Sequence, residues 1–244
     1  MTAVTPYAHP PIVEAVLDIQ VELPVGTSLA DLERCQRKIR KDYPTQKTVQ
    51  QVSGEVTLGT SVTTSTSSEF TGYVFSSSDG KQLFQAKRTS FTHNRLAPYL
   101  GWDGFFGESQ RLWEEYRRVL RPNRVTRLAL RYINRFDIPF PAVKLEDYFR
   151  TYLEVARDLP QTLAGFFLQF HLPLPDEKAT VAITKTLVEP VVPGSTSVLL
   201  DLDLYRTDEL PTDFDIWPLF DALRLCKNRV FEACITDTCR ELIR

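Results

Sequence analysis

Residues 124–138, RVTRLALRYINRFDI, change character at every step: Leu128, Leu130, Tyr132, Asn134, Phe136 and Ile138 fall on one side, and Arg127, Ala129, Arg131, Ile133, Arg135 and Asp137 on the other. A two-residue period is the signature of an extended strand, because successive side chains leave a strand on opposite faces. The run therefore predicts a long strand with one face in a core and the other carrying three arginines at strand spacing. Whatever fold the chain adopts must cover the first face and solvate or pair the second.

The rest of the chain builds toward and away from this run. Pro10-Pro11 introduces a second alternating stretch, Ile12 to Leu23, with Glu14, Asp18 and Glu22 outward. Ser28-Leu-Ala-Asp31 has the form of a capping box and opens a helix that Asp42-Tyr43-Pro44 stops. Strands are expected near 48–58, 70–76 and 82–91, the last two joined through Asp79-Gly80, since glycine supplies the positive φ of a tight hairpin. The Ser/Thr-rich stretch 59–68 between the first two is an exposed loop or the end of an edge strand. A helix from Trp102 to Leu120 buries a wide aromatic stripe. After the long strand the order recurs: a helix over 145–159, strands over 163–172, 180–188 and 197–205, and a final helix over 214–243.

Four landmarks align between the halves, Pro24 with Pro139, Pro44 with Pro160, Trp102 with Trp217 and Phe105 with Phe220, at offsets of 115, 116, 115 and 115 residues. The expected fold class is accordingly α+β: internally duplicated β-α-β-β-β-α units, 1–122 and 123–244, with four strands each. The sheet is mainly antiparallel, with helices packed on one face. The first strands of the two halves become equivalent, and their outward faces carry opposite charge. At least one arginine of Arg127, Arg131 and Arg135 is expected to meet Glu14, Asp18 or Glu22 across the two strands.

At 244 residues and 43% hydrophobic content, the chain is long enough for a large core. No apolar run approaches the ~20 residues of a membrane helix, and Met1-Thr-Ala-Val-Thr-Pro lacks the features of a signal peptide, so a cytoplasmic protein without membrane association is expected. Cys35, Cys226, Cys234 and Cys239 show no paired spacing, and His9, His93 and His171 are isolated, which argues against a zinc site. No phosphate-binding glycine loop, dinucleotide fingerprint, nucleophile elbow or HExxH motif occurs. Neither cofactor nor metal is expected.

Several motifs together carry a family resemblance: Pro11-Ile-Val-Glu-Ala-Val16, Gly72-Tyr-Val-Phe-Ser76, Asp79-Gly80 with Gln85, Arg131-Tyr-Ile-Asn134, Leu199-Leu-Asp-Leu-Asp203, and Leu223-Arg-Leu-Cys-Lys-Asn228 with Phe231-Glu232 and Ile235-Thr236. In these the chain resembles a sporadically distributed family of uncharacterised bacterial proteins of about this length. The resemblance implies the role of an accessory gene product, including those of mobile or defence loci.

The candidate binding residues are Arg127, Arg131, Asn134, Arg135, Asp201, Asp203, Lys227 and Asn228. Asp201 and Asp203 share a strand face and read as partners of the arginines ahead of a divalent-cation site. Asn134 interrupts an apolar face and needs a partner, with Lys227-Asn228 of the last helix as candidates. Lys227 lies among inward-facing residues and either reaches the edge or pairs with Asp201 or Asp203. The favoured function is a non-enzymatic protein-binding module, with self-association included. A small-molecule binder or enzyme with a site between the halves, near Arg131, Asn134, Asp201, Asp203 and Lys227, is the alternative. Nucleic-acid binding through Arg111 to Arg135 comes third, because Glu114 and Glu115 face neighbouring arginines.

Overall fold

The computed structural model describes residues 7–58 and 62–244, and the side chains of residues 7–50 and 70–244. In chain order these residues form β1 (Ile12–Glu22), α1 (Leu29–Glu33), β2 (Thr45–Leu58), β3 (Val62–Ser76), β4 (Gln82–Lys87), β5 (Ser90–Leu96), α2 (Trp102–Leu120) and β6 (Arg124–Ile138). There follow α3 (Leu145–Tyr148), β7 (Phe167–Leu174), β8 (Ala179–Val188), β9 (Thr196–Pro211), α4 (Trp217–Cys234) and α5 (Asp237–Glu241). Among the described residues the nine strands make one sheet, ordered β2-β3-β4-β5-β1-β6-β9-β8-β7, with every neighbouring pair antiparallel. The protein is α+β, as the alternating runs predict.

The first strands of the two halves are neighbours at the centre, and the alternation seen in sequence fixes how they bury. Leu17 is paired with Leu130, Leu130 with Leu204 and Leu204 with Val181, and in the other direction Leu17 with His93, His93 with Phe84 and Phe84 with Phe75. Every member of this row is fully buried. Two helices cover its face. Trp113 and Tyr116 of α2 meet Phe91 edge-on at 5.6 and 5.9 Å, and Phe105 stacks on His93 at 5.0 Å. Phe231 of α4 stacks on Phe136 at 6.3 Å. The helices also meet each other, with Phe106 of α2 edge-on to Trp217 of α4 at 5.4 Å and Trp102 Nε1 donating to Asp221 at 3.2 Å.

Several elements depart from the sequence reading. The capping box holds, with Ser28 and Asp31 bonded reciprocally, but α1 is a single turn that passes into a 3-10 turn at Arg34–Gln36. The expected strand 82–91 is two strands, β4 and β5, so the first half contributes five strands and not four. The Asp79-Gly80 turn is present, with Gly80 at φ +67°. Residues 62–68 of the Ser/Thr-rich stretch pair with β2, while 59–61 lie outside the described residues.

The helix expected over 145–159 stops at Tyr148. Phe149 turns extended and bridges Ile235, the Arg150 amide donates to Cys234 O at 3.0 Å, and the Thr236 amide donates to Tyr148 O at 3.0 Å. These long-range bonds satisfy backbone groups that a continuing helix would have kept for itself. The same bridge breaks the final helix. Ile235 is extended, and Thr236 caps α5 by accepting from the Cys239 amide at 3.2 Å, so Cys239 sits on a helix separate from Cys226 and Cys234.

Candidate functional site: a cleft between the central strand and the last helix

β6 separates the candidate residues by parity. Arg127, Arg131 and Arg135 leave one face of the sheet together with Asp201 and Asp203 of β9, whereas Asn134 leaves the other, toward α4. The single cluster expected from sequence is therefore two.

On the outward face the charges satisfy one another. Arg127 lies 3.5 Å from Asp18 and 3.3 Å from Asp203, and its guanidinium stands 4.6 Å over the Tyr205 ring. The expected arginine-to-acid bridge between β1 and β6 is thus present. Arg131 Nε bonds Asp201 at 2.9 Å, and Arg135 Nε bonds Asp137 at 2.9 Å. The polar ladder continues over β5 and β4: Thr92 donates to Asp18 at 2.7 Å, Asn94 to Glu14 at 2.7 Å, and Gln85 to Asn94 at 2.8 Å. Burial raises the carboxyl pKa values of Asp18 and Asp203, with Arg127 opposing the shift in each. Where solvent reaches such pairs, as at Arg124–Glu22, each contributes roughly 0–1 kcal/mol. Arg111, Arg117, Arg118 and Arg124 are likewise held by Glu108, Glu114, Glu115 and Glu22. The basic segment is largely neutralised within the fold. Among the described residues no group of three His, Cys, Asp or Glu is arranged to hold a metal.

The opposite face carries a cleft of about 490 Å³. Its floor is β6, through Tyr132 and Asn134, and one wall is α4, through Arg224, Lys227, Asn228 and Phe231. Spacings of three, four and seven residues place these four side chains on a single stripe of the helix. The N-terminal segment closes one end: Tyr7 donates to Glu232 at 2.8 Å and meets Phe231 edge-on at 6.2 Å, while Pro11 O accepts from the Arg135 amide at 2.8 Å. Leu100, Gly101 and Trp102, at the start of α2, close the other.

Asn134 does not bond the helix. Its Nδ2 donates to Leu200 O at 3.0 Å and to Tyr132 O at 3.3 Å, so it fastens β6 to β9 and to itself. Lys227 does not reach Asp201 or Asp203, which lie on the outward face. Its Nζ stands 4.1 Å over the centre of the Tyr132 ring, and no hydrogen bond or ion pair to it is present among the described residues. Burial, and then the charge of Arg224, lower its pKa to about 8, with Glu232 pulling the other way. Glu232 is itself bonded to Arg240 at 2.9 Å and to Tyr7. Arg224 rests 5.2 Å over the Trp102 ring and has no carboxylate partner among the described residues. Tyr99 and Tyr132 share a hydroxyl hydrogen bond of 2.9 Å at the base, and burial raises both phenols.

Sequence reasoning named Asn134, Lys227 and Asn228 here and missed Arg224, Tyr99, Trp102 and the Tyr7 segment. Arg224 was findable from its helical spacing to Lys227 and Asn228. The other three reach the cleft only through tertiary contacts.

No protein-family model and no curated protein matches this chain.

Proposed function

We propose that the protein is a non-enzymatic binding module whose ligand is a small molecule held in the cleft between β6, α4 and the start of α2. The observation that carries this reading is Lys227, a half-buried cation that makes no hydrogen bond or ion pair among the described residues and faces a cleft beside Asn228 and Arg224. A lysine at a cleft that the fold leaves without an anionic partner is available to a ligand that supplies one. A cleft of this size lies within the ~300–1,000 Å³ of ordinary ligand pockets. The test is to equilibrate the full chain with a deproteinised cell extract, wash, denature and identify what is released. Wild type should enrich at least one small molecule that Asn228→Trp, which fills the cleft, does not. Equal recovery from both proteins, or none from either, removes the reading.

In this reading the body is an internal duplication with its helices on a single sheet face. The equivalent strands β1 and β6 meet at the centre, and the order β5-β4-β3 outward from β1 repeats as β9-β8-β7 outward from β6. A superposition of β1, β5 and α2 on β6, β9 and α4 tests this: a match related by about a half-turn would support the duplication, and failure to superpose would remove it. Membership of the bacterial family that the motifs resemble, and an accessory role, belong to the same proposal.

A second reading, a protein partner on the β7 side, has its own support. Among the described residues eight of the thirteen exposed large apolar side chains fall between Phe140 and Val192: Phe140, Tyr152, Leu153, Leu159, Phe167, Leu172, Val191 and Val192. Exposed apolar side chains grouped in one stretch of chain are a feature of interaction surfaces.

A further inference from the structure

We infer that the cleft takes an organic anion, a carboxylate or phosphate group on an apolar body, with Arg224 and Lys227 as its receptors. This rests on the cleft being the ligand site and adds the chemistry of the ligand. Arg224 and Lys227 are three residues apart on α4, so two cations of like sign share one helix face and repel each other. Among the described residues neither forms an ion pair with a carboxylate; Glu232, the acid that lines the same cleft, offsets the charge repulsion on Lys227 only in part and is itself bonded to Arg240 and Tyr7. An anion between them gains two charge-assisted hydrogen bonds at once, one of them to a planar guanidinium suited to a two-oxygen acceptor.

The start of α2 adds to the same field. Gly101 stands in the N-cap position and places no side chain over the first-turn amides, and it lies in the cleft wall at the positive end of a 19-residue helix. Apart from Asn134, Asn228 and Glu232, the rest of the lining is apolar or aromatic, including Ile12, Tyr99, Trp102, Tyr132 and Phe231, which selects a ligand whose anionic group sits on a hydrophobic or aromatic frame.

Lys227 faces Arg224 and Glu232 on its own helix, Tyr132 on β6, Tyr99 on the segment before α2, and Tyr7 on the N-terminal segment. The pKa of Lys227 lies at about 8, lowered by burial and by the charge of Arg224. An anion raises that value, so binding takes up protons, and affinity falls as pH rises from 7 to 9.5.

Titration calorimetry of the full chain with phenyl phosphate, benzoate and the neutral benzamide tests the inference, the first two probes separating phosphate from carboxylate. At least one anion should bind, benzamide at least tenfold more weakly, and Lys227→Met and Arg224→Met should each weaken the anion at least tenfold. Lys227→Met should also flatten the pH dependence. It removes a cation that has no ion pair among the described residues and is expected to fold as well as wild type, which thermal melts verify. Anion affinities unchanged in both variants, benzamide binding equal to the anions, or no anion binding at millimolar concentration overturns the inference. A neutral or cationic molecule recovered from cell extract and lost in Asn228→Trp leaves the cleft as a ligand site and removes only its anion selectivity.

Discussion

His93 is the one ionisable side chain in the fully buried row that crosses the sheet from Phe75 to Val181. Its Nδ1 lies 2.7 Å from Ser109 Oγ, and that hydroxyl donates onward to Phe105 O at 2.8 Å. With the serine hydrogen so engaged, Nδ1 is the donor of that pair. Burial lowers its pKa from 6.5 to about 3, Glu108 opposing and Arg95 and Arg111 assisting. The unfolded chain takes up this proton below about 6.5, whereas the folded one resists until about 3. The stability His93 allows above pH 6.5 is therefore lost as pH falls through that window. Calorimetric melts should show His93→Gln less stable than wild type at pH 7 and with a shallower loss between pH 6.5 and 3; parallel slopes would contradict the assignment. The sequence marked His93 only as isolated. Its burial follows from the pairing with Leu17 and Phe84, which no local pattern around Thr92-His93-Asn94 reveals.

At the scale of elements, Gly72 shows how a strand can depend on one missing atom. β3 shifts register against β2 here, with Val49 opposite Gly72 and Gln50 opposite Phe70. On the other side Gly72 pairs with Lys87, so close that an added Cβ would stand 2.2 Å from Ala86 O. The obstacle is backbone and cannot rotate away. Gly72→Ala should destabilise the protein by about 1–3 kcal/mol or more, read as a lower urea midpoint; an unchanged midpoint would show that β3 can shift without loss. The motif Gly72-Tyr-Val-Phe-Ser76 was visible in sequence, but its reason was not. The long strand β6 and the helix α2 were legible to the residue, because each carries an unbroken period over four or more turns or pleats. α3 was not, because the bridge from Phe149 to Ile235 joins positions 86 residues apart.

For the molecule as a whole, the exposed apolar residues between Phe140 and Val192 bear on the second reading, a protein partner at the β7 end. β7 is an edge strand with Phe167 and Leu172 exposed, and an open, apolar edge favours pairing with another chain. Sedimentation at rising concentration and capture from native lysate should show self-association or a retained protein that Phe167→Asp abolishes. A wild type that sediments as a monomer and retains nothing that the variant loses excludes this surface.

The sequence by itself determined the class of fold and the sorting of charge. Alternation in Ile12 to Glu22 and in Arg124 to Ile138 assigns each side chain to a face, since a two-residue period leaves no freedom. The oppositely charged outer faces of those strands then had to meet once the strands became neighbours. Tertiary structure alone decided where the cleft lies. Asp201 and Lys227 both looked polar and available, but one leaves the sheet away from α4 and the other lies on it. A cleft forms only where strand, helix and N-terminal segment leave a gap between their side chains, a property of their packing distance that is not contained in the periodicity of any one of them.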